Sequence, residues 1–253
     1  MSEMNAQTVA LVTEKLRQAS ENTTKMINYG IESGKALAED AFWNAIQGGG
    51  ERTDYQYVFS DTVWGTEFNP KYSFNNMTNA LYMFRNAKVG DRLYTDKLDF
   101  SNCTSMLGTF IDSDVACLKR VDMRSCLASA NGANSTFNTC RSLREITEFY
   151  PPVDAKMNYS FANCSSLETL IVYSEISSNF DVRWSKKLSR VSIESIIYHL
   201  KLEVSGLTIT LSKDAVNKAF ETSEGANNGV NNSNWCDDLA GYAESLGWSV
   251  VLY

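Results

Sequence analysis

Six cysteines, one histidine and a scatter of acidic and aromatic side chains are the residues of this 253-residue chain whose types could do chemistry. Cys103, Cys117, Cys126, Cys140, Cys164 and Cys236 would suffice for three disulfides, but none forms a Cys-x-x-Cys pair. With His199 as the only histidine, neither a zinc site nor a Cys–His nucleophile is expected. His199 lies in "SIESIIYHLKL", whose apolar spacing is helical, and is read as a helix residue and not a general base. Glycoside hydrolysis needs only two carboxylates several ångströms apart, so Asp112 with Asp114, and Asp237 with Asp238, are nominal pairs. Neighbouring acids in turns are ordinarily solvated, and that is the preferred reading of both. No G-x-S-x-G, P-loop, G-x-G-x-x-G or H-E-x-x-H occurs, and Gly48–Gly50 precedes no lysine, so it is read as a hinge. The expectation is a non-enzymatic protein without metal or cofactor.

Binding chemistry has better candidates. Tyr150 beside Pro151 and Pro152, then Tyr173, Arg183 and Trp184, stand where a regular sequence pattern is interrupted. Interruptions map to loops, and flat aromatic faces on loops take sugars or protein partners. The competing reading has Trp184 and Tyr173 filling irregular core.

The pattern being interrupted is a word written twice. "STFNTCRSLREI" (135–146) and "YSFANCSSLETL" (159–170) share F-x-x-C-x-x-L-x-x-[IL], through Phe137, Cys140, Leu143 and Ile146, then Phe161, Cys164, Leu167 and Leu170. "LDFSNC" and "VDMRSC" carry partial copies ending at Cys103 and Cys126. Strand-like anchors at Leu98, Val121, Ile146, Leu170 and Val191 are 23, 25, 24 and 21 residues apart, inside the roughly 20–29-residue period of leucine-rich repeats. A unit this short cannot cover its own apolar face, so copies are expected to pile up over shared inward rungs, with cysteines as small buried plugs. The expected class is an α+β repeat, a leucine-rich-repeat-like solenoid of short strands over 75–211 with an N-terminal helix and α/β caps.

The flanks differ in kind. Residues 1–46 read as a helix, with small or apolar residues stepping 3, 4, 3, 4 through Val9, Val12, Leu16, Ala19, Thr23 and Met26. That is a coiled-coil seam, and as an oligomer a homotrimer is favoured; a helix lying on the body is the alternative. Residues 47–74 form an aromatic-rich linker and N-terminal cap. At the other end "GLTITL" alternates like a strand, Ser212 N-caps a helix, "WCDDLAGYAESLGW" is helical to Gly247, and "SVVLY" closes as a strand, so 212–253 is the C-terminal cap. A formal charge of −7 argues against a nucleic-acid partner, and no apolar run approaches the length of a membrane span. The opening "MSEMNAQTVALVTEKLRQ" lacks the plan of a signal peptide, so reduced thiols are expected.

The words "DFSNCTSM", "TFNTCRSLREI" and "SFANCSSLETL" resemble the BspA-like leucine-rich repeats of bacterial surface and phage-associated proteins. The stretch from "AEDAFWNAIQGGG" to "NPKY", and the ending "LTITLSKDAVNKAF…LGWSVVLY", are similar to the flanks of such repeats in phage and prophage proteins of gut Firmicutes. The resemblance implies a receptor-binding or adhesion protein of a phage tail, made in the host cytoplasm and carried on the virion. It would engage a bacterial surface glycan or protein and other tail proteins. A virion decoration or adaptor protein, or a prophage-encoded protein of the bacterial cell surface, is the alternative.

Overall fold

Among the described residues six short strands, all paired in parallel, frame the molecule. The computed structural model describes residues 17, 18, 20–25, 27, 39–64, 68, 70, 72–89, 97–130, 132–220 and 239–253. Strands β1 (Cys117–Asp122), β2 (Glu145–Tyr150) and β3 (Thr169–Val172) make one sheet in the order β1-β2-β3. Their register sets Leu118 beside Ile146 and Ile146 beside Leu170, and Val121 beside Phe149. These side chains are all buried, so the sheet's inner face is the reason these segments are extended. Strands β4 (Phe180–Asp181), β5 (Leu207–Leu211) and β6 (Trp248–Leu252) make the second sheet. Helix α1 (Glu39–Gln47) precedes both sheets. Helix α2 (Arg190–Tyr198) lies between β4 and β5, and α3 (Lys213–Phe220) and α4 (Gly241–Ser245) lie between β5 and β6.

The expected class, an α+β leucine-rich-repeat-like solenoid, is therefore corrected. The strands do not form one uninterrupted series; they divide into two three-stranded parallel sheets, and the class is α/β. The anchors at the two ends fail for visible reasons. Leu98 is buried but belongs to no strand. Val191 lies in α2, 63% exposed, because the Ser189 hydroxyl accepts from the Ser192 N–H and starts a helix there. That helix occupies the edge where a further strand would pair with β3. The Ser192 and Ser195 hydroxyls accept from the Leu170 and Val172 N–H groups, each at 2.9 Å, which closes the sheet.

Before and between the strands of the first sheet the chain runs in tight loops bonded edge to edge. The N–H of Tyr57 donates to the Leu81 carbonyl at 3.0 Å, and those of Tyr82, Gly108 and Ser135 donate to Leu107 (3.0 Å), Asn134 (3.0 Å) and Asn158 (2.9 Å). All four donors have φ between 51° and 59°. A side chain in that region costs on the order of 1 kcal/mol; the hydrogen bond each N–H makes to its neighbouring loop offsets it. Behind these loops runs a file of stacked rings. Phe59, Phe84, Phe110, Phe137 and Phe161 follow at centroid spacings of 5.2, 5.3, 5.7 and 5.3 Å. Offset-stacked pairs add about 0.5–1.5 kcal/mol each beyond the area they bury. The thiol of Cys140 donates to the Phe110 carbonyl at 2.8 Å and that of Cys164 to the Phe137 carbonyl at 3.1 Å, so each cysteine ties its loop to the one before.

The proposed seam residues Val9, Val12, Leu16, Ala19 and Met26 lie outside the described residues, as do Cys236 and the Asp237–Asp238 pair. Of the nearby described residues, Ile27 is fully buried in the core, and the Thr24 hydroxyl donates to the Ser60 carbonyl at 3.4 Å.

Candidate binding face

Strand β1 ends on Asp122, whose carboxylate is 1% exposed because the backbone turns over it at once. The Arg124 N–H donates back to Oδ1 at 3.3 Å. The guanidinium of Arg124 then closes on the same carboxylate, Nε to Oδ1 at 2.9 Å and Nη2 to Oδ2 at 2.6 Å, and Arg120 adds Nη2 to Oδ2 at 3.1 Å. Burial pushes the Asp122 carboxyl up, but the hydrogen bonds from Arg124 and Arg120 outweigh it and hold its pKa below the ordinary value. In the β1–β2 register Asp122 stands opposite Tyr150. Both guanidiniums accordingly lie over the Tyr150 ring, each 4.7 Å from its centroid. Tyr173, the residue after β3, is anchored by its N–H to the Phe149 carbonyl at 2.8 Å and sets its ring 5.6 Å from Tyr150. At 53% exposure it is the open end of the group. The result is two tyrosines and two arginines gathered on one carboxylate, with Glu148 opposite Arg120 in the register and Asp99 within electrostatic reach of it.

The other pair of candidates falls at the end of the second sheet. Strand β4 ends on Asp181, and the Arg183 N–H donates to its Oδ1 at 3.1 Å while Arg183 Nε reaches Oδ1 at 3.0 Å and Oδ2 at 2.9 Å. The Arg183 guanidinium lies 4.8 Å from the Tyr253 ring centroid, and Trp184 stands 6.0 Å from the same ring. So the four predicted binding residues assemble as two couples, Tyr150 with Tyr173 and Arg183 with Trp184. Neither Tyr173 nor Trp184 is core filler, since they are 53% and 40% exposed. Sequence reasoning missed Arg120, Arg124, Asp122 and Tyr253. A signal was available: "VDMRS" and "FDVRW" both place Asp-x-Arg where a strand ends.

Among the described catalytic candidates, Asp114 and His199 are engaged elsewhere. Asp112 sits in a loop at φ 59°, and the Asp114 carboxylate accepts from the Val89 N–H at 2.6 Å. His199 caps α2, its Nδ1 donating to the Ser195 carbonyl at 2.7 Å. Five described cysteines are free thiols. Burial pushes Cys126 and Cys140 up to about 12, and Cys103 and Cys164 well above their ordinary value, which leaves almost no thiolate to attack anything. Among the described residues no group of three or more His, Cys, Asp or Glu is placed to hold a metal, and no helix is long and apolar enough to cross a membrane. Compared with protein-family models, curated proteins and solved structures, the chain matches none.

Proposed function

We propose that this protein is a non-enzymatic binding module that recognises a bacterial surface glycan or protein, acting as a receptor-binding or adhesion protein of a phage tail. The observation that carries the reading is the Tyr173–Tyr150 face with Arg120 and Arg124 laid on it. Exposed tyrosine offers a flat apolar plate for a sugar ring or a partner side chain. The arginines, fixed by buried Asp122, supply planar donors that match carboxylate or phosphate groups. A preordered surface of this kind loses little side-chain entropy on binding. The tail location rests on the resemblance to BspA-like phage proteins.

The test is calorimetric titration of the protein with acidic bacterial surface polysaccharides, beside pull-down on intact cells. Tyr173→Ala is expected to weaken binding at least tenfold with unchanged thermal stability, because the ring is exposed. Arg124→Lys should weaken it as well, since lysine keeps the charge and loses the planar fork. Binding no stronger than that of an unrelated protein would overturn the reading. Location between neighbours inside a particle, away from the tail tip, would replace it with an adaptor role.

A further inference from the structure

A second opening in the described structure lies far along the chain from the Tyr150 face. A cleft of about 1110 Å³ lies between Arg17, Ser20, Glu21, Thr24 and Lys25 on one side and the loops over 51–61 on the other, with Arg85 at its wall. We propose that this cleft is a second binding site, for a neutral oligosaccharide. The inference does not depend on the Tyr150–Tyr173 face.

The cleft has an aromatic plate. Tyr57 lines it, with its ring stacked on Tyr82 at 5.1 Å and 29° between planes. Tyr82 is supported from behind at Gly108, where an added Cβ would stand 2.3 Å from the Tyr82 ring; only glycine leaves the ring room to lie flat. Arg85 steadies the same ring, its guanidinium 5.9 Å from the centroid. The plate is thus built across three consecutive loops, with positive φ at Tyr57, Tyr82 and Gly108 turning the three positions the same way.

The remainder of the lining selects among ligand classes. Arg17, Lys25, Arg52 and Arg85 are basic, and Glu21, Glu51, Asp54 and Asp61 are acidic. Among the described lining residues the balance gives no net attraction for a polyanion. A hydroxyl-rich ligand is different, because every sugar hydroxyl both donates and accepts. It finds guanidinium and carboxylate groups around a tyrosine plate, between two walls that the Ser20 and Thr24 hydroxyls join by donating to the Tyr57 and Ser60 carbonyls at 3.3 and 3.4 Å. Asp61 is held in place for that role: Asn86 Nδ2 donates to Oδ1 at 2.9 Å and Ser60 Oγ to Oδ2 at 2.8 Å.

The experiment is titration of the full chain with cellohexaose, maltohexaose and chitohexaose at millimolar concentration, with hexagalacturonate as the anionic control, read by calorimetry and ligand-observed NMR. At least one neutral hexasaccharide is expected to bind. Tyr57→Asn removes the plate while asparagine tolerates positive φ, and should weaken that binding at least tenfold. Arg85→Ala, at an exposed side chain, should weaken it about threefold even if the first variant folds poorly. Tyr173→Ala should leave neutral-sugar binding unchanged. The proposal is overturned if no neutral hexasaccharide binds the parent protein, or if Arg85→Ala and a folded Tyr57→Asn bind it as the parent does. It is overturned equally if Tyr173→Ala abolishes the binding, which would move the sugar to the other face. Loss of hexagalacturonate binding alone in Tyr173→Ala would bear on the Tyr150 face and leave the cleft assignment standing.

Discussion

The same three-residue device, an aspartate at a strand end gripping the arginine two positions on and laying it over a tyrosine, occurs at both sheets with different burial. Asp122 is 1% exposed and held by two arginines, whereas Asp181 is 41% exposed and held by one. The buried copy has no water to fall back on, so its arginines are structural as well as surface groups. The open copy can exchange its partner for solvent, and an ion pair so exposed contributes only about 0–1 kcal/mol. Identical local chemistry is therefore a foundation in one place and an ornament in the other. Depth makes the difference.

The sharpest way to break this comparison is to strip the arginines. Arg120→Ala with Arg124→Ala leaves the Asp122 carboxylate buried and unpaired, and should cost about 3–5 kcal/mol in urea unfolding; a loss under 1 kcal/mol would show that the two sites are alike. Next in size is Gly247→Ala. Gly247 has φ 89° and an added Cβ would lie 1.8 Å from the Val204 carbonyl oxygen, so the turn into β6 cannot keep its path. A loss of about 2–4 kcal/mol is expected, with faster amide exchange in β6 than in β1.

Acid probes the buried aspartate more gently. The folded pKa of Asp122 is depressed, so its contribution is complete above an unfolded carboxyl value of about 3.9 and disappears as pH falls through the lower folded value. Asp122→Asn should cost about 1–2 kcal/mol at neutral pH and reduce the fall in stability below about pH 4. The smallest effect belongs to Arg183→Ala, at most about 1 kcal/mol, visible chiefly as altered Trp184 fluorescence.

Legibility followed the range of each signal. The doubled word around Phe137 and Phe161 could be read because repetition marks equivalent positions in the sequence itself, and their rings stand 5.3 Å apart. The strand over Leu207–Leu211 and the Ser212 cap, whose hydroxyl accepts from the Ala215 N–H at 3.4 Å, were equally plain, since alternation and capping act within a few residues. The class was not legible. A spacing of 21 residues carried the anchor series on to Val191, while Ile193, Ile196, Ile197 and Leu200 at helical spacing, with a serine cap ahead of them, made that segment a helix. Two periodicities overlapped in one segment, and the cap decided between them. For binding residues, exposed aromatics at interruptions picked out Tyr173 and Trp184. The arginines that complete each group needed register, because Asp122 and Tyr150 meet only across β1 and β2.

The thiols donating to carbonyls one loop back have an experimental use. Cys103, Cys126, Cys140 and Cys164 are all within 1% of complete burial, so an alkylating reagent meets them only when neighbouring loops part. Their rate of modification is a clock for breathing of the file of rings, read at known positions in the wild-type sequence without an introduced label.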